Sequence, residues 1–378
     1  MIERRAPDAL LLIVTGLLTG IGIVMVFSAS SAVAYTQFHD SAYYLKRELL
    51  WAAIGIVALV AAMRLDYTRI RPLTIAIFIV AVVLLAAVLV PGLGFMEGGA
   101  RRWFALGPIT FEPSEFGKLA LVLFLAGLFA SRHDGAASFP RAGFWALAAV
   151  GACFVLVMRE PDLGTATIYL LTTFVMLFVA GAPLLQLALE VAIAVPALVG
   201  YITASHYRRV RFLAFLHPWN DPKGTGYHII QSLYALGSGG LFGLGLGQSR
   251  QKFGYLPAQH TDFIFAIIGE ELGFVGAAAV VLLFLIFAYR GIRIAMRCED
   301  RFGFYLAAGL TAAIALQALM NIGVVTASWP VTGVPLPFIS YGGTSLVITL
   351  FSVGLLASIS RGQRRAASAL PARRRKVS

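Results

Sequence analysis

Ten stretches of roughly 15 to 28 predominantly apolar residues recur along this chain, and nothing else limits its fold so strongly. An α-helix rises 1.5 Å per residue, so about 20 apolar residues cross the ~30 Å hydrocarbon layer of a bilayer. The stretches fall near 9–28, 49–63, 72–90, 116–130, 143–159, 164–180, 184–204, 262–289, 303–326 and 343–360. The second, fourth and fifth are short, but flanking residues can complete them. Composition agrees: 59% of the 378 residues are hydrophobic and 13% charged, against about 25% charged in soluble domains. There is too little polar material for a water-facing exterior, so lipid is the outer solvent. The expected fold is an all-α polytopic membrane protein with about ten transmembrane helices. A short N-terminus, 1–8, precedes a membrane domain over 9–360, and a basic tail covers 361–378. One large extracytoplasmic loop, 205–261, joins helices seven and eight. No soluble domain, internal repeat or inverted symmetry is visible.

The net charge of +12 sits in short loops and the tail, which favours a membrane-lipid role over nucleic acid as partner. Cys153 and Cys298 suit neither a disulfide nor a zinc site. Ser28-Ala29-Ser30 resembles a signal cleavage site, but nine further spans follow, so the first run reads as a retained anchor. With ten spans both termini share a side. That side holds 18 of the 30 basic residues, which predicts cytoplasmic termini in the inner membrane of a bacterium. The opposite, outer face then carries the long loops 29–48, 91–115, 205–261 and 327–342, where function is expected.

Five constellations stand out there. Gly98-Gly99-Ala100-Arg101-Arg102-Trp103-Phe104 runs on to Phe111-Glu112-Pro113-Ser114-Glu115-Phe116-Gly117-Lys118, with a Gly-Pro turn at 107–108 between two short extended pieces. Ser114 suits a helix cap and Glu115 its first turn. Lys118 lies one turn into an apolar helix and must snorkel or face a polar cavity. Second, Arg159-Glu160-Pro161-Asp162-Leu163-Gly164-Thr165 joins two spans; Asp162 reads equally as a cap or as an acid of an outer cleft. Third, Arg208, Arg209 and Arg211 precede a glycine-rich run, Gly237 to Gly247. That run reads either as closely packed backbone or as N–H groups for a phosphate, with the arginines beside it.

Fourth, Tyr255 to Phe265 contains His260-Thr261-Asp262 and leads to Gly269-Glu270-Glu271-Leu272-Gly273. Asp262 reads as a helix N-cap or as a functional acid. Two adjacent acids at 270–271, so deep in a span, require partners in the bundle interior. His260 and Asp262 alone make no metal site. Fifth, Pro330 to Ser345 holds three prolines and a Gly pair, so it has few conformations.

The runs Leu256-Pro-Ala-Gln-His-Thr-Asp-Phe-Ile-Phe-Ala-Ile-Ile-Gly-Glu-Glu-Leu-Gly273 and Gly333-Val-Pro-Leu-Pro-Phe-Ile-Ser-Tyr-Gly-Gly-Thr-Ser345 resemble the SEDS family (shape, elongation, division and sporulation). The resemblance also takes in Arg102-Trp103, Glu112 to Lys118, Pro161 to Thr165 and Gly224 to Ser232. It implies ten spans, cytoplasmic termini, glycosyltransferase activity on lipid II, and a class B penicillin-binding transpeptidase as partner, with divisome or sporulation membrane proteins around it. It places the catalytic aspartate of the His-Thr-Asp-Phe motif at Asp262. Gly247 to Pro257 is more similar to the division and sporulation (FtsW/SpoVE) branch than to the rod-elongation (RodA) branch. Gly254 stands where many members carry an acid, and Thr332 where some carry Lys, so neither side chain takes a role.

Lipid II is an α-linked sugar pyrophosphate, and its polymer is β-1,4 linked. One inverting displacement needs a base for the acceptor hydroxyl and positive charge for the departing pyrophosphate. Asp262 is the expected base. The expected substrate contacts are Arg102, Lys118, Asp162, Arg209, Arg211, Glu271 and Ser340. No protein metal site is expected, although a divalent cation, Mg or Mn, can share the pyrophosphate. A lipid II flippase and a non-catalytic scaffold for a transpeptidase are the rival readings.

Overall fold

A computed structural model describes residues 6–97, 100–107, 109–131 and 141–369. Helices dominate because lipid offers no hydrogen bonds to the backbone, so each spanning segment must satisfy its own. In chain order these are α1 (Ala9–Phe38), α2 (Tyr43–Arg64), α3 (Thr74–Val88), α4 (Pro113–Ala130), α5 (Arg141–Arg159), α6 (Leu163–Val179) and α7 (Leu184–Thr203). They continue with α8 (His206–Leu216), α9 (Tyr227–Ser238), α10 (Ile264–Met296), α11 (Arg301–Val325) and α12 (Gly343–Ala369). The ten long helices, α1–α7 and α10–α12, take the places of the ten apolar stretches. Among the described residues seven segments are long and apolar enough to cross a membrane by themselves, α6 and most of α7 are shorter apolar helices, and α2 belongs to neither group. The chain is a polytopic, almost wholly helical membrane protein.

Two expectations about the loops change. The region 29–48 is not a loop. α1 runs on to Phe38, His39 closes it in the left-handed conformation, and α2 begins four residues later. Apolarity marks the part of a helix inside lipid and not where the helix ends. Nor is the chain strictly all-α. Strands β1 (Phe95–Glu97), β2 (Ala100–Leu106) and β3 (Ile109–Phe111) form an antiparallel meander. It turns at Gly107, whose φ of +67° suits glycine. Thr344, at the start of α12, donates to Thr110 O (3.1 Å) and accepts from Glu112 N (3.2 Å), which docks the meander on the bundle.

α12 lies along α2, α10 along α11, and α3 along α4. α4 is largely enclosed, whereas α3 turns most of its surface outward. Leu184 and Leu185 of α7 are about four-fifths exposed, as expected of lipid-facing residues. At the end of the bundle that holds the N-terminus, Asp8 forms an ion pair with Arg290, and its N–H donates to Ser360. Arg361 donates to Met63 O (2.9 Å) and Ser358 to Leu65 O (2.6 Å). These bonds tie α1, α2, α10 and α12 together there. The meander, the segment 204–263 and the segment 326–342 meet at the opposite end.

Candidate active site

Asp262 sits just ahead of α10, half-buried. The N-cap position is taken by Phe263, whose side chain makes no capping bond, and Asp262 lies one residue ahead of it. Its surroundings come from the proline-rich segment 330–342 and from α11. Asn321 of α11 donates its side-chain amide to Asp262 O (2.7 Å) and to Val334 O (2.8 Å). Gly333 lies over the carboxylate: a Cβ there would stand 3.6 Å from Asp262 Oδ2. Tyr341 N donates to His260 O (2.9 Å). Burial pushes the His260 imidazole down to about 4, so it is neutral beside Asp262 at neutral pH.

Ser340 was expected to touch substrate. Its hydroxyl instead donates to Thr261 O (2.5 Å) and accepts from Leu336 N (2.8 Å), and the residue is buried. It braces the segment against residues 260–262.

Glu271 is likewise turned inward. It is fully buried, accepts from Ser28 Oγ (2.7 and 2.8 Å) and Ser249 N (3.3 Å), and lies 3.6 Å from Lys252 Nζ. Glu270 accepts from Ser249 Oγ and from the N–H groups of Arg250 and Gln251. The two acids fasten the 249–252 turn to α10 and α1.

The glycine-rich run resolves the same way. Leu244 N donates to Glu270 O and Gly245 N to Glu271 O, both at 3.0 Å, and Gly243 N to Gly239 O at 2.8 Å. With those N–H groups occupied they cannot cradle a phosphate. The glycines are there because backbone meets backbone: a Cβ on Gly239 would lie 1.9 Å from Gly269 O. α10 breaks its helical geometry at Gly273 (φ +69°) where this run crosses it.

Arg102 clamps the α5–α6 turn. It donates to Glu160 O (3.1 Å) and Pro161 O, and its Nη1 lies 3.7 Å from Asp162 Oδ2. Asp162 caps α6 by accepting from Thr165 N (3.0 Å) and Thr165 Oγ1 (2.9 Å). It is a buried cap. Glu160 is fully buried with neither carboxyl oxygen hydrogen-bonded. Burial, with Asp162 and Glu112 nearby, pushes it up to about 9 against the pull of Arg102. Burial together with Glu115 and Asp162 pushes Glu112 up to about 8. Glu112, not Ser114, is the N-cap of α4, with Pro113 at the first helical position.

Lys118 does not snorkel; it faces a cavity that Glu115, Gln317, Thr349 and Ser352 also line. It is buried and donates to Glu115 Oε1 (2.8 Å) and Gln317 Oε1 (2.6 Å). Gln317 in turn donates to Pro335 O (2.9 Å). Gln317 and Asn321, which the motifs did not single out, therefore hold consecutive carbonyls of the proline-rich segment. Their signal in the sequence was an i, i+4 pair of amides on one face of an apolar helix. Arg209 is exposed on α8, with no partner among the described residues. The Arg211 side chain lies outside the described residues. Among the described residues no three His, Cys, Asp or Glu side chains converge as metal ligands.

A ten-helix membrane bundle with its polar machinery gathered at one end, around an aspartate braced by a proline-rich segment, defines the class. The chain belongs to the FtsW/RodA/SpoVE family, whose model, described as "Cell cycle protein", matches residues 8–365. It is 46% identical to stage V sporulation protein E of Bacillus subtilis over 362 residues, 96% of this chain and 99% of the relative. It is 44% identical to a probable peptidoglycan glycosyltransferase FtsW of Trichlorobacter lovleyi, with 94% and 93% covered. A chain from a peptidoglycan synthase complex superposes with a TM-score of 0.76 at 31% identity, over 95% of this chain and 98% of that one. RodA of Thermus thermophilus superposes with a TM-score of 0.70 at 28% identity and the same coverage. The higher identities to SpoVE and FtsW than to RodA agree with the branch read from Gly247 to Pro257.

Proposed function

We propose that this protein is an inverting peptidoglycan glycosyltransferase. It polymerises lipid II into β-1,4 glycan strands on the outer face of the bacterial cytoplasmic membrane, in septal or sporulation wall synthesis. Both termini are cytoplasmic in this reading, and the 204–263 and 326–342 segments are outside. The observation that carries it is the setting of Asp262. Asp262 stands one residue ahead of the N-cap of α10, and its main chain is fixed by Asn321 from a neighbouring helix. A carboxylate fixed at its backbone and only half-buried suits a general base. In the reaction the Asp262 carboxylate takes the proton of the acceptor 4-hydroxyl as that oxygen attacks the donor's anomeric carbon. The bond from that carbon to the pyrophosphate breaks, and the polyprenyl pyrophosphate leaves with the electron pair.

Arg102 and Lys118 are engaged within the chain, so they act on the site chiefly by holding it. Of the expected cations, Arg209 and Arg211 of α8 are the ones we assign to the departing pyrophosphate. A divalent cation such as Mg or Mn would rest mainly on pyrophosphate oxygens, since Asp262 gives it one protein carboxylate at most and no three-residue ligand set is present among the described residues. A class B penicillin-binding transpeptidase, with divisome or sporulation membrane proteins, is the partner this reading calls for. The likeness to a chain of a peptidoglycan synthase complex supports it.

The test is Asp262→Asn in purified protein supplied with lipid II. Polymerisation falls about 10²- to 10⁴-fold while the folded protein is recovered at the wild-type level. A variant that polymerises at the wild-type rate sinks the base assignment.

A further inference from the structure

Beside Asp262 lies a group of aromatic rings that no step above uses. Three segments distant in sequence supply it: the end of α1 with the start of α2, the residue two before Asp262, and the end of the proline-rich segment. The Tyr44 ring centroid is 4.6 Å from that of His260 and 5.0 Å from that of Tyr341, and His260 and Tyr341 are 5.8 Å apart. Tyr43 packs edge-on against Tyr44 at 5.3 Å, and Phe38 stacks on Tyr43 at 3.9 Å. Phe38 is 44% exposed, and Tyr43, Tyr44, His260 and Tyr341 are half-buried, so the group is open along one side.

Two polar atoms under these rings are left without partners. His260 Nδ1 is enclosed and unbonded. Glu48, one turn below Tyr44 on α2, is 1% exposed; its carboxyl takes the Gly342 N–H, yet its Oε2 has no partner. Tyrosines at a membrane boundary often form a belt of rings directed at lipid headgroups. These rings converge on one another across three segments, which a belt does not require.

We propose that Tyr44, His260 and Tyr341, extended by Tyr43 and Phe38, form a shelf that stacks a hexosamine ring of the glycan next to Asp262. A pyranose has an apolar C–H face and a rim of hydroxyl and acetamido groups. Its face matches an aromatic ring. Because the backbone bond from Tyr341 N to His260 O fixes two of the rings to the segment carrying Asp262, a sugar on the shelf has a set distance from the base. The inference rests on the glycosyltransferase reading for its ligand and adds to it a subsite for the sugar itself.

The experiment measures binding of the β-1,4-linked tetrasaccharide of N-acetylglucosamine to full-length protein in detergent, by saturation-transfer NMR, in the Asp262→Asn background so that nothing turns over. Tyr44→Ala and Tyr341→Ala weaken binding roughly 3- to 10-fold, the scale of one lost aromatic contact. Tyr44→Phe, which keeps the ring, binds as the parent does. Tyr35→Ala, at an exposed ring on the same end of α1, is the belt control and leaves binding unchanged. Melting temperatures accompany each variant, and Tyr44→Leu and Tyr341→Leu, which keep apolar bulk without the ring and should weaken binding likewise, replace the alanine variants if those do not fold. A parent that does not bind the tetrasaccharide, or alanine variants that fold and bind it as the parent does, overturns the shelf. Wild-type protein that binds the sugar but never polymerises lipid II overturns the activity and leaves the shelf standing.

Discussion

The side-chain amide of Asn321 donates to the main-chain oxygen of Asp262 at 2.7 Å. The same nitrogen donates to Val334 O at 2.8 Å, so one residue of α11 sets the distance between the candidate base and the segment that covers it. Removing it leaves two carbonyls without their donor, at a cost on the order of 1–3 kcal/mol. Asn321→Ala is therefore expected to lower lipid II polymerisation about tenfold or more, with protein recovered from the membrane in near-normal amount. Unchanged turnover would show that Asp262 is held by other bonds.

The glycine-rich run offers a paired test of packing. Gly239 has no room for a side chain, since its Cβ would stand 1.9 Å from Gly269 O, whereas nothing lies within 4 Å of a Cβ on Gly237. Gly237 is inside α9, where alanine favours the helix by roughly 0.5–1 kcal/mol. Gly239→Ala should give little folded protein, and Gly237→Ala should melt at or above the wild-type temperature. A phosphate cradle would place the damage in substrate affinity instead, with both variants well folded.

The long helices were legible because lipid demands long apolar runs, and each of the ten runs falls largely in a helix, seven of which fall in segments that are long and apolar enough to span by themselves among the described residues. Their ends were less so: α1 continues ten residues past its apolar run, because a helix outside the hydrocarbon needs no apolar side chains. At the site, Asp262 and the acids at 160, 162, 270 and 271 were readable as residues that matter. Their roles were not, since a role depends on partners remote in sequence. Ser28 and Glu271 are 243 positions apart, and no local pattern announces their bond. The sequence around Asp162 admits a cap and a cleft acid alike, and the capping role is visible only in its bonds to Thr165. Gln317 and Asn321 carried no motif, although two amides one turn apart in an apolar helix are costly enough to demand a reason.

Orientation in the membrane follows from the distribution of Lys and Arg and can be measured directly. Lys223→Cys lies in the 204–263 segment and Arg364→Cys in the tail. In intact spheroplasts an impermeant maleimide should modify the first and spare the second until the membrane is opened. The reverse pattern would put the candidate site on the cytoplasmic side, where polymerisation of an exported lipid-linked sugar has no place.

The buried acids beside Arg102 make stability depend on pH. Glu160 is pushed up to about 9 and Glu112 to about 8, each from an ordinary value of 4.5, burial being the largest cause for both. The folded chain thus keeps protons that the unfolded chain has released above about pH 4.5. Their stabilising contribution is full below that pH and is lost as pH rises through 8 to 9. The melting temperature in detergent should accordingly fall between pH 5 and pH 9. Glu160→Gln keeps the shape of the protonated acid and cannot ionise, so its melting temperature should fall less over the same range, with Glu112 accounting for a remaining slope. Equal slopes in the two proteins would mean that Glu160 is paired or hydrated in the folded state, contrary to its enclosed and unbonded carboxyl.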